Sequence, residues 1–181
     1  MRLAIVAYPD LDEEDRQWIE GVRRIHDPQA ERLEVHFTLV FPYDASASDL
    51  EPEVHEVARR TQPIRFAIRH VKAVPDQLGP ATHVFLVPED GAPEIERLHD
   101  QLYAGQLRVH LRSDIPFIPH MTIGTCQDSD SAARLASELR GRPRVVRGTI
   151  SNLQLIDVER VPVRTISTCV LGSTSTETRR A

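Results

Sequence analysis

Lysine, cysteine, aromatic side chains and long apolar runs are all scarce in this chain of 181 residues. Lys72 is the only lysine, and arginine supplies the rest of the 22 positive side chains, set against 27 negative ones. The net charge of −5 denies the protein the broad basic field through which long nucleic acids bind by counterion release. Small or terminal substrates stay open. We read the arginine bias as a mark of base composition in the source genome, with no mechanism attached. Two cysteines, Cys126 and Cys169, exclude a disulfide scaffold and a cysteine-based zinc cluster; they suit a reducing cytoplasm and are expected to be structural. The longest apolar runs, residues 3–8 and 83–87, fall far short of the roughly 20 residues of a membrane helix. The first nine residues carry one basic group and too short an apolar stretch for a signal peptide, and acidic residues follow from Asp10 to Asp15. A soluble, cytoplasmic protein is expected.

Several catalytic signatures are missing as well. His26, His55, His70, His83, His99 and His110 form no His-x₃-His or His-Glu-x₂-His group, which leaves zinc little support and gives these side chains surface or packing roles. Glycine-rich phosphate loops of Walker or dinucleotide type are absent, as is Gly-x-Ser-x-Gly, so ATP and hydride chemistry lose ground. No cofactor is expected.

What is present has the profile of one compact domain: 40% hydrophobic and 27% charged residues, with 8 Gly and 13 Pro. Apolar alternation predicts strands near residues 2–8, 33–41, 64–74, 82–87, 117–125, 144–158 and 161–171. Helical spacing falls between them. Asp12 caps a first helix with Trp18, Ile19, Val22 and Ile25 on its apolar side, and Pro28 ends it. Ser48 and Glu51 read as a capping box for a second helix, with Leu50, Val54, Val57 and Ala58 as its stripe. Pro93 opens a third, carrying Ile95, Leu98 and Leu102 and closed by Gly105. Asp130 or Ser131 starts a fourth, with Ala132, Leu135, Ala136 and Leu139 before Gly141. Two consecutive strands at the end, turning near Pro162, argue for antiparallel pairing and an α+β fold. One domain is predicted over residues 1–171, and the Ser/Thr-rich residues 172–181 are expected to be a disordered tail.

The chemical signal is a repeat. Val35-His36-Phe37-Thr38-Leu39 precedes the second helix, and Pro119-His120-Met121-Thr122-Ile123-Gly124 precedes the fourth. Strand alternation sends His36 and Thr38 to one face, and Val35, Phe37 and Leu39 to the other. His120 and Thr122 are arranged alike, opposite Met121 and Ile123. With 8 His and 11 Thr in the chain, about 0.1 chance matches to His-x-Thr-aliphatic are expected, and two together fall well below that. A lone histidine on a half-buried strand is usually a satisfied structural residue; the duplication reverses those odds.

Imidazole accepts and donates protons near neutrality. Displacement at phosphorus needs one group to deprotonate the nucleophile, a second to protonate the leaving oxygen, and donors on the oxygens between them. Two pseudo-symmetric strands meet that demand. Each Thr hydroxyl lies one strand period, roughly 6.5–7 Å, from its His and can reach a non-bridging oxygen. Gly124 is expected to leave room for the substrate beside the backbone.

The paired motifs His36-Phe37-Thr38-Leu39 and His120-Met121-Thr122-Ile123, 84 positions apart, resemble those of the two-histidine (2H) phosphoesterase superfamily. Its members include 2′-5′ RNA ligase-like proteins and cyclic nucleotide phosphodiesterases. The element order agrees over nearly the whole chain, and Ile123 stands where leucine is frequent. The resemblance implies a bilobal fold of two antiparallel β-sheets forming a central cleft, helices outside, and both motifs on central strands. It also implies metal-independent chemistry on 2′,3′-cyclic or 2′-5′ phosphodiesters, with His36 and His120 catalytic and Thr38 and Thr122 on the phosphate. Ligation by the reverse reaction is compatible with it. Which His is acid and which is base stays open, as do the substrate's base, the product regiochemistry and the oligomeric state.

Two further groups stand out. Arg140, Arg142, Arg144 and Arg147 fit a solvated turn better than an extended RNA track. Tyr8, Tyr43 and Phe117 near strand ends are candidates for stacking on a base, although ordinary packing is the commoner use. The expected partner is a small nucleotide or RNA terminus, with neither membrane nor long nucleic acid involved. The rival reading is a non-catalytic module that binds terminal phosphates. It needs the Thr pair but not the His pair.

Overall fold

The computed structural model describes residues 1–141 and 145–173. Nine strands and four α-helices alternate along the described residues: β1 Arg2–Ala7, β2 Asp10–Leu11, α1 Glu13–His26, β3 Phe37–Asp44, α2 Ala47–Arg60, β4 Ile64–Pro75, β5 Thr82–Asp90, α3 Ala92–Leu102, β6 Met121–Cys126, α4 Ser129–Arg140, β7 Val146–Ile150, β8 Asn152–Asp157 and β9 Arg164–Val170. A 3₁₀ turn, Gln106–His110, follows α3. The fold is α+β, and its strands pair antiparallel in the order β2-β7-β4-β5-β6-β3-β1-β8-β9. No helix of the described residues is long and apolar enough to cross a membrane.

The two expected sheets are joined in one nine-stranded sheet, whose order divides into two lobes. Strands β2, β7, β4, β5 and β6 form one, and β3, β1, β8 and β9 the other; the only register between them among the described residues is Phe37↔Met121. Both residues are buried, at 1% and 0% exposure, and point into the main apolar core. Burying a side chain of that size contributes about 1.5–3 kcal/mol, so the joint between lobes is held by packing more than by its short ladder. Helices α1 and α4 cover the first lobe behind β6 and β4, α2 covers the second behind β8 and β9, and α3 lies against strands of both, β3, β4 and β5. On the opposite face of the second lobe, Ala4, Val6 and Ile156 form a small separate cluster with Tyr8 and Leu33 at its margin.

Several boundaries differ from the sequence reading. Strand β3 begins at Phe37 and β6 at Met121, so His36 and His120 each sit one residue before a strand rather than within it. The expected single run 144–158 is two strands broken at Ser151, because β7 pairs with β4 in one lobe and β8 with β1 in the other; Arg144 itself lies outside the described residues. Helix α2 starts at Ala47 behind an N-cap Ser46, whose hydroxyl bonds that of Ser48; Ser48 is therefore inside the helix and caps nothing. Asp128, not Asp130 or Ser131, caps α4, accepting from the Ser131 N–H at 2.8 Å. Asp12 does cap α1, at 2.8 Å from the Asp15 N–H. Trp18, Ile19 and Val22 pack on the main core as expected, but Ile25 is 77% exposed, and Asp15 and Arg23 are buried in line with Ile19. Positions spaced by four share a helix face, and Arg23 tolerates burial because two carboxylates meet it.

Of the arginine group, Arg140 donates to the Val71 carbonyl at 3.1 Å and Arg147 is exposed. Arg142 and Arg144, and residues 174–181 of the expected tail, lie outside the described residues. Cys169 is buried and Cys126 half-buried, both as free thiols.

Candidate active site

Continuing the antiparallel register of Phe37↔Met121 by one residue each way sets His36 across from Thr122 and Thr38 across from His120. Since Phe37 and Met121 point to the core, these four side chains share the opposite face. All four are half-buried. Directly opposed residues on paired strands stand about 4.5–5.5 Å apart. The fold thus brings the two distant motifs into one constellation.

Each imidazole is held in the same way. His36 Nδ1 lies 2.7 Å from the Glu34 carbonyl oxygen and His120 Nδ1 lies 2.6 Å from that of Ile118. A carbonyl only accepts, so Nδ1 carries the proton in both rings, and the neutral ring keeps its lone pair on Nε2. The second nitrogen is the one left for proton transfer. Burial lowers the pKa of His36; the Glu34 carbonyl opposes the shift, Arg23 reinforces it and Asp27 works against it. Burial also lowers His120, to about 4, with the Ile118 carbonyl opposing and the neighbouring His36 and His83 adding to the depression. Neither Thr hydroxyl makes a hydrogen bond to another group among the described residues, which leaves both open to a ligand.

Of the proposed stacking residues, only Tyr8 stands beside the pair, with its ring 5.9 Å from that of His36 and edge-on at 62°. Tyr43 packs on His110 at 4.5 Å and Phe117 on His99 at 3.8 Å; contacts inside the protein occupy both rings. His99 itself is buried and bonds the Leu39 carbonyl at 2.8 Å. Gly124 is turned away from the site: a Cβ there would meet Leu135 and His26 at 3.1 and 3.2 Å. The missing side chain lets α1 and α4 approach β6, and substrate access has no part in it.

Sequence reasoning missed Phe85, which stacks on the His120 ring at 3.6 Å and is itself stacked by His83 at 5.7 Å. The register Phe85↔Thr122 places it on the face of the site. Its alternation with His83 along β5 was the available signal. An open groove of about 340 Å³ runs beside His36, lined by Tyr8, Arg32, Leu33, Glu34, Gln154 and Thr165 with Val163. Gln154 belongs to the same sheet row as Thr38, through Val6. Among the described residues no three His, Cys, Asp or Glu side chains converge as metal ligands.

Residues 11–162 match the family model of the 2′-5′ RNA ligase superfamily. A provisionally named phosphoesterase of Bacillus cereus (strain B4264) is 27% identical over 143 residues, 77% of this chain and 78% of that protein. One from Bacillus cytotoxicus is 26% identical over 159 residues, 86% of this chain and 88% of its own. Among solved structures, a Thermus thermophilus protein superposes with a TM-score of 0.62 at 20% identity, covering 96% of this chain and 99% of the other. Escherichia coli LigT complexed with 3′-AMP gives 0.59 at 18%, covering 95% and 98%. The family model spans most of the chain, both His-x-Thr repeats included, and on that ground the chain belongs to the 2′-5′ RNA ligase superfamily, the two-histidine phosphoesterases.

Proposed function

We propose that this protein is a metal-independent phosphodiesterase that opens 2′,3′-cyclic phosphates or cleaves 2′-5′ phosphodiester bonds in small nucleotides or RNA ends. One imidazole activates the nucleophile and the other protonates the departing oxygen. Water as nucleophile gives hydrolysis, and a terminal 5′-hydroxyl attacking a 2′,3′-cyclic phosphate, with the 3′-oxygen leaving, gives a 2′-5′ linkage. The observation that carries this reading is the matched pair of imidazoles. Both hold Nδ1–H on a carbonyl and present Nε2 to a face shared with two threonine hydroxyls.

In this reading the phosphate lies between the lobes, with Thr38 and Thr122 donating to its non-bridging oxygens. The nucleoside extends into the groove beside His36, against the Tyr8 ring. The 3′-AMP held by LigT supports a nucleotide of that size. The net charge of −5 agrees with a short or terminal substrate rather than a long duplex.

The deciding assay presents 2′,3′-cyclic mononucleotides, ADP-ribose cyclic phosphate and 2′-5′ oligomers to the protein in EDTA, with product regiochemistry read out. Turnover of at least one class in chelator is expected. Full loss that added metal restores would overturn the metal-independent mechanism. Tight binding of a panel member with no turnover would instead make the protein a phosphate-binding module.

The hydroxyls give a second check. Thr38→Val and Thr122→Val are nearly isosteric, and each removes one donor from charge developing on the phosphoryl oxygens. A loss of about 1–3 kcal/mol in transition-state stabilisation is expected for each, with the fold retained. Unchanged kinetics in both variants would place the phosphate elsewhere.

A further inference from the structure

The two histidines look alike in front and differ behind. The carbonyl that receives the His36 Nδ1–H belongs to the peptide unit joining Glu34 and Val35. The N–H of that same unit donates to Glu20 Oε1 at 2.6 Å. Glu20, on α1, also accepts from Arg23 Nη1 through both its oxygens, at 3.0 and 2.9 Å. Arg23 is 1% exposed; its Nη2 donates to the Leu33 carbonyl at 2.7 Å and its Nε to Asp27 Oδ2 at 2.9 Å. Helix α1 therefore grips the chain on both sides of Glu34, immediately before the catalytic side chain.

We propose that Glu20 is a positioning residue for His36, acting through the 34–35 peptide. Its carboxylate fixes and polarises the amide whose carbonyl holds the imidazole. The chain runs carboxylate, peptide N–H, peptide C=O, Nδ1–H, with the reactive Nε2 at its far end. Hydrogen bonds in series strengthen one another, so negative charge at Glu20 favours the protonated form of His36. Of the other charges in the cluster, the Arg23 guanidinium works against the protonated form of His36 and Asp27 favours it.

His120 has no such support. The peptide that holds it joins Ile118 to Pro119, and proline has no N–H to donate. Nothing can be relayed through that unit. Its surroundings are the Phe85 ring and His83 beyond it. The duplicated motif is thus built to hold two imidazoles of unequal basicity, with Glu20 opposing the effect of burial at His36 alone.

This inference rests on His36 being an acid–base group, as proposed above, and its test must read His36 alone. The groups that face the ring are Arg23 and Asp27 from α1, Glu34 on its own loop, Tyr8 just after β1 and His120 across the joint. NMR titration of the two imidazoles, assigned by loss of each signal in His36→Ala and His120→Ala, needs no substrate. It reads the same whether or not the phosphodiester panel turns over.

Glu20→Gln keeps an acceptor for Val35 N–H and removes the charge. The His36 midpoint is expected to fall by about 0.5–1 pH unit, the scale of one partly screened charge, while that of His120 stays in place. In assays kcat falls about three- to tenfold at unchanged KM, and the variant adds nothing further in a His36→Ala background. Glu20→Asp keeps the charge but withdraws it from the peptide N–H by one methylene, and the His36 midpoint is expected to fall here too. If Glu20→Gln does not melt cooperatively, Glu20→Asp decides alone. An unmoved His36 midpoint, or equal movement of both histidines, would overturn the proposal.

Discussion

Replacing either His36 or His120 with alanine is expected to slow turnover about 10²–10⁴-fold, the usual contribution of a positioned proton-transfer group. Binding of the nucleotide is expected to change far less, because the hydroxyls and the groove remain. The double variant should be only slightly slower than either single one, since groups that act as a unit are not additive. Both single variants must retain a cooperative melt for the comparison to count. Parental turnover in either would remove the paired-histidine mechanism.

The pH profile of kcat/KM belongs to the same test, because it reports the free protein. One imidazole must be neutral and the other protonated. Burial holds His120 at about 4 and His36 below the ordinary imidazole value of about 6.5, so activity rises with pH as the first of the pair loses its proton and falls as the second does. The bell therefore lies on the acid side of neutrality, with the same two limbs whichever ring acts as base. A profile centred well above pH 7 would contradict the burial that causes both shifts.

The second large effect is on stability. Arg23→Ala removes the guanidinium from Asp27, whose side chain is 3% exposed, and from Glu20, at 24%. Breaking a buried ion pair from one side costs about 3–5 kcal/mol, because the remaining charge stays uncompensated. For a domain of this size that lowers the Tm by about 6–20 °C. The loop from Leu33 to His36 also loses its anchor, so turnover should drop even where the fold survives. A Tm within about 2 °C of the parent would mean that water or a rearranged side chain replaces the guanidinium. Arg23→Lys, which keeps the charge but loses the fork that reaches Glu20, Asp27 and the Leu33 carbonyl, is expected to recover only part of the loss.

Much of the site was legible because its pattern is local. His-x-Thr on an alternating strand sends both side chains to one face whatever surrounds the strand, and Val35, Phe37, Met121 and Ile123 are buried behind it as the alternation requires. The aromatic neighbours were not legible in this way. Tyr8, Tyr43 and Phe117 looked equivalent as ring-bearing residues near strand ends, yet only Tyr8 lies beside His36. Phe85 reached His120 through a strand pairing that no local pattern encodes. Helix α1 shows the same limit: Trp18, Ile19 and Val22 pack on the core as the spacing suggests, yet Ile25 is exposed while Arg23, held by Glu20, Asp27 and the Leu33 carbonyl, is buried.

The sequence by itself determined that this chain is an α+β protein with two His-x-Thr repeats, because side-chain alternation, helix spacing and capping act over a few residues. It determined the residue types of the candidate site for the same reason. Only the tertiary structure decided that Phe37 pairs with Met121, that β7 and β8 separate into different lobes, and that Glu20 and Arg23 stand behind His36. Those arrangements join residues far apart in the chain or on separate elements. Their geometry follows from how whole sheets and helices bury their apolar faces against one another, which no short-range periodicity records.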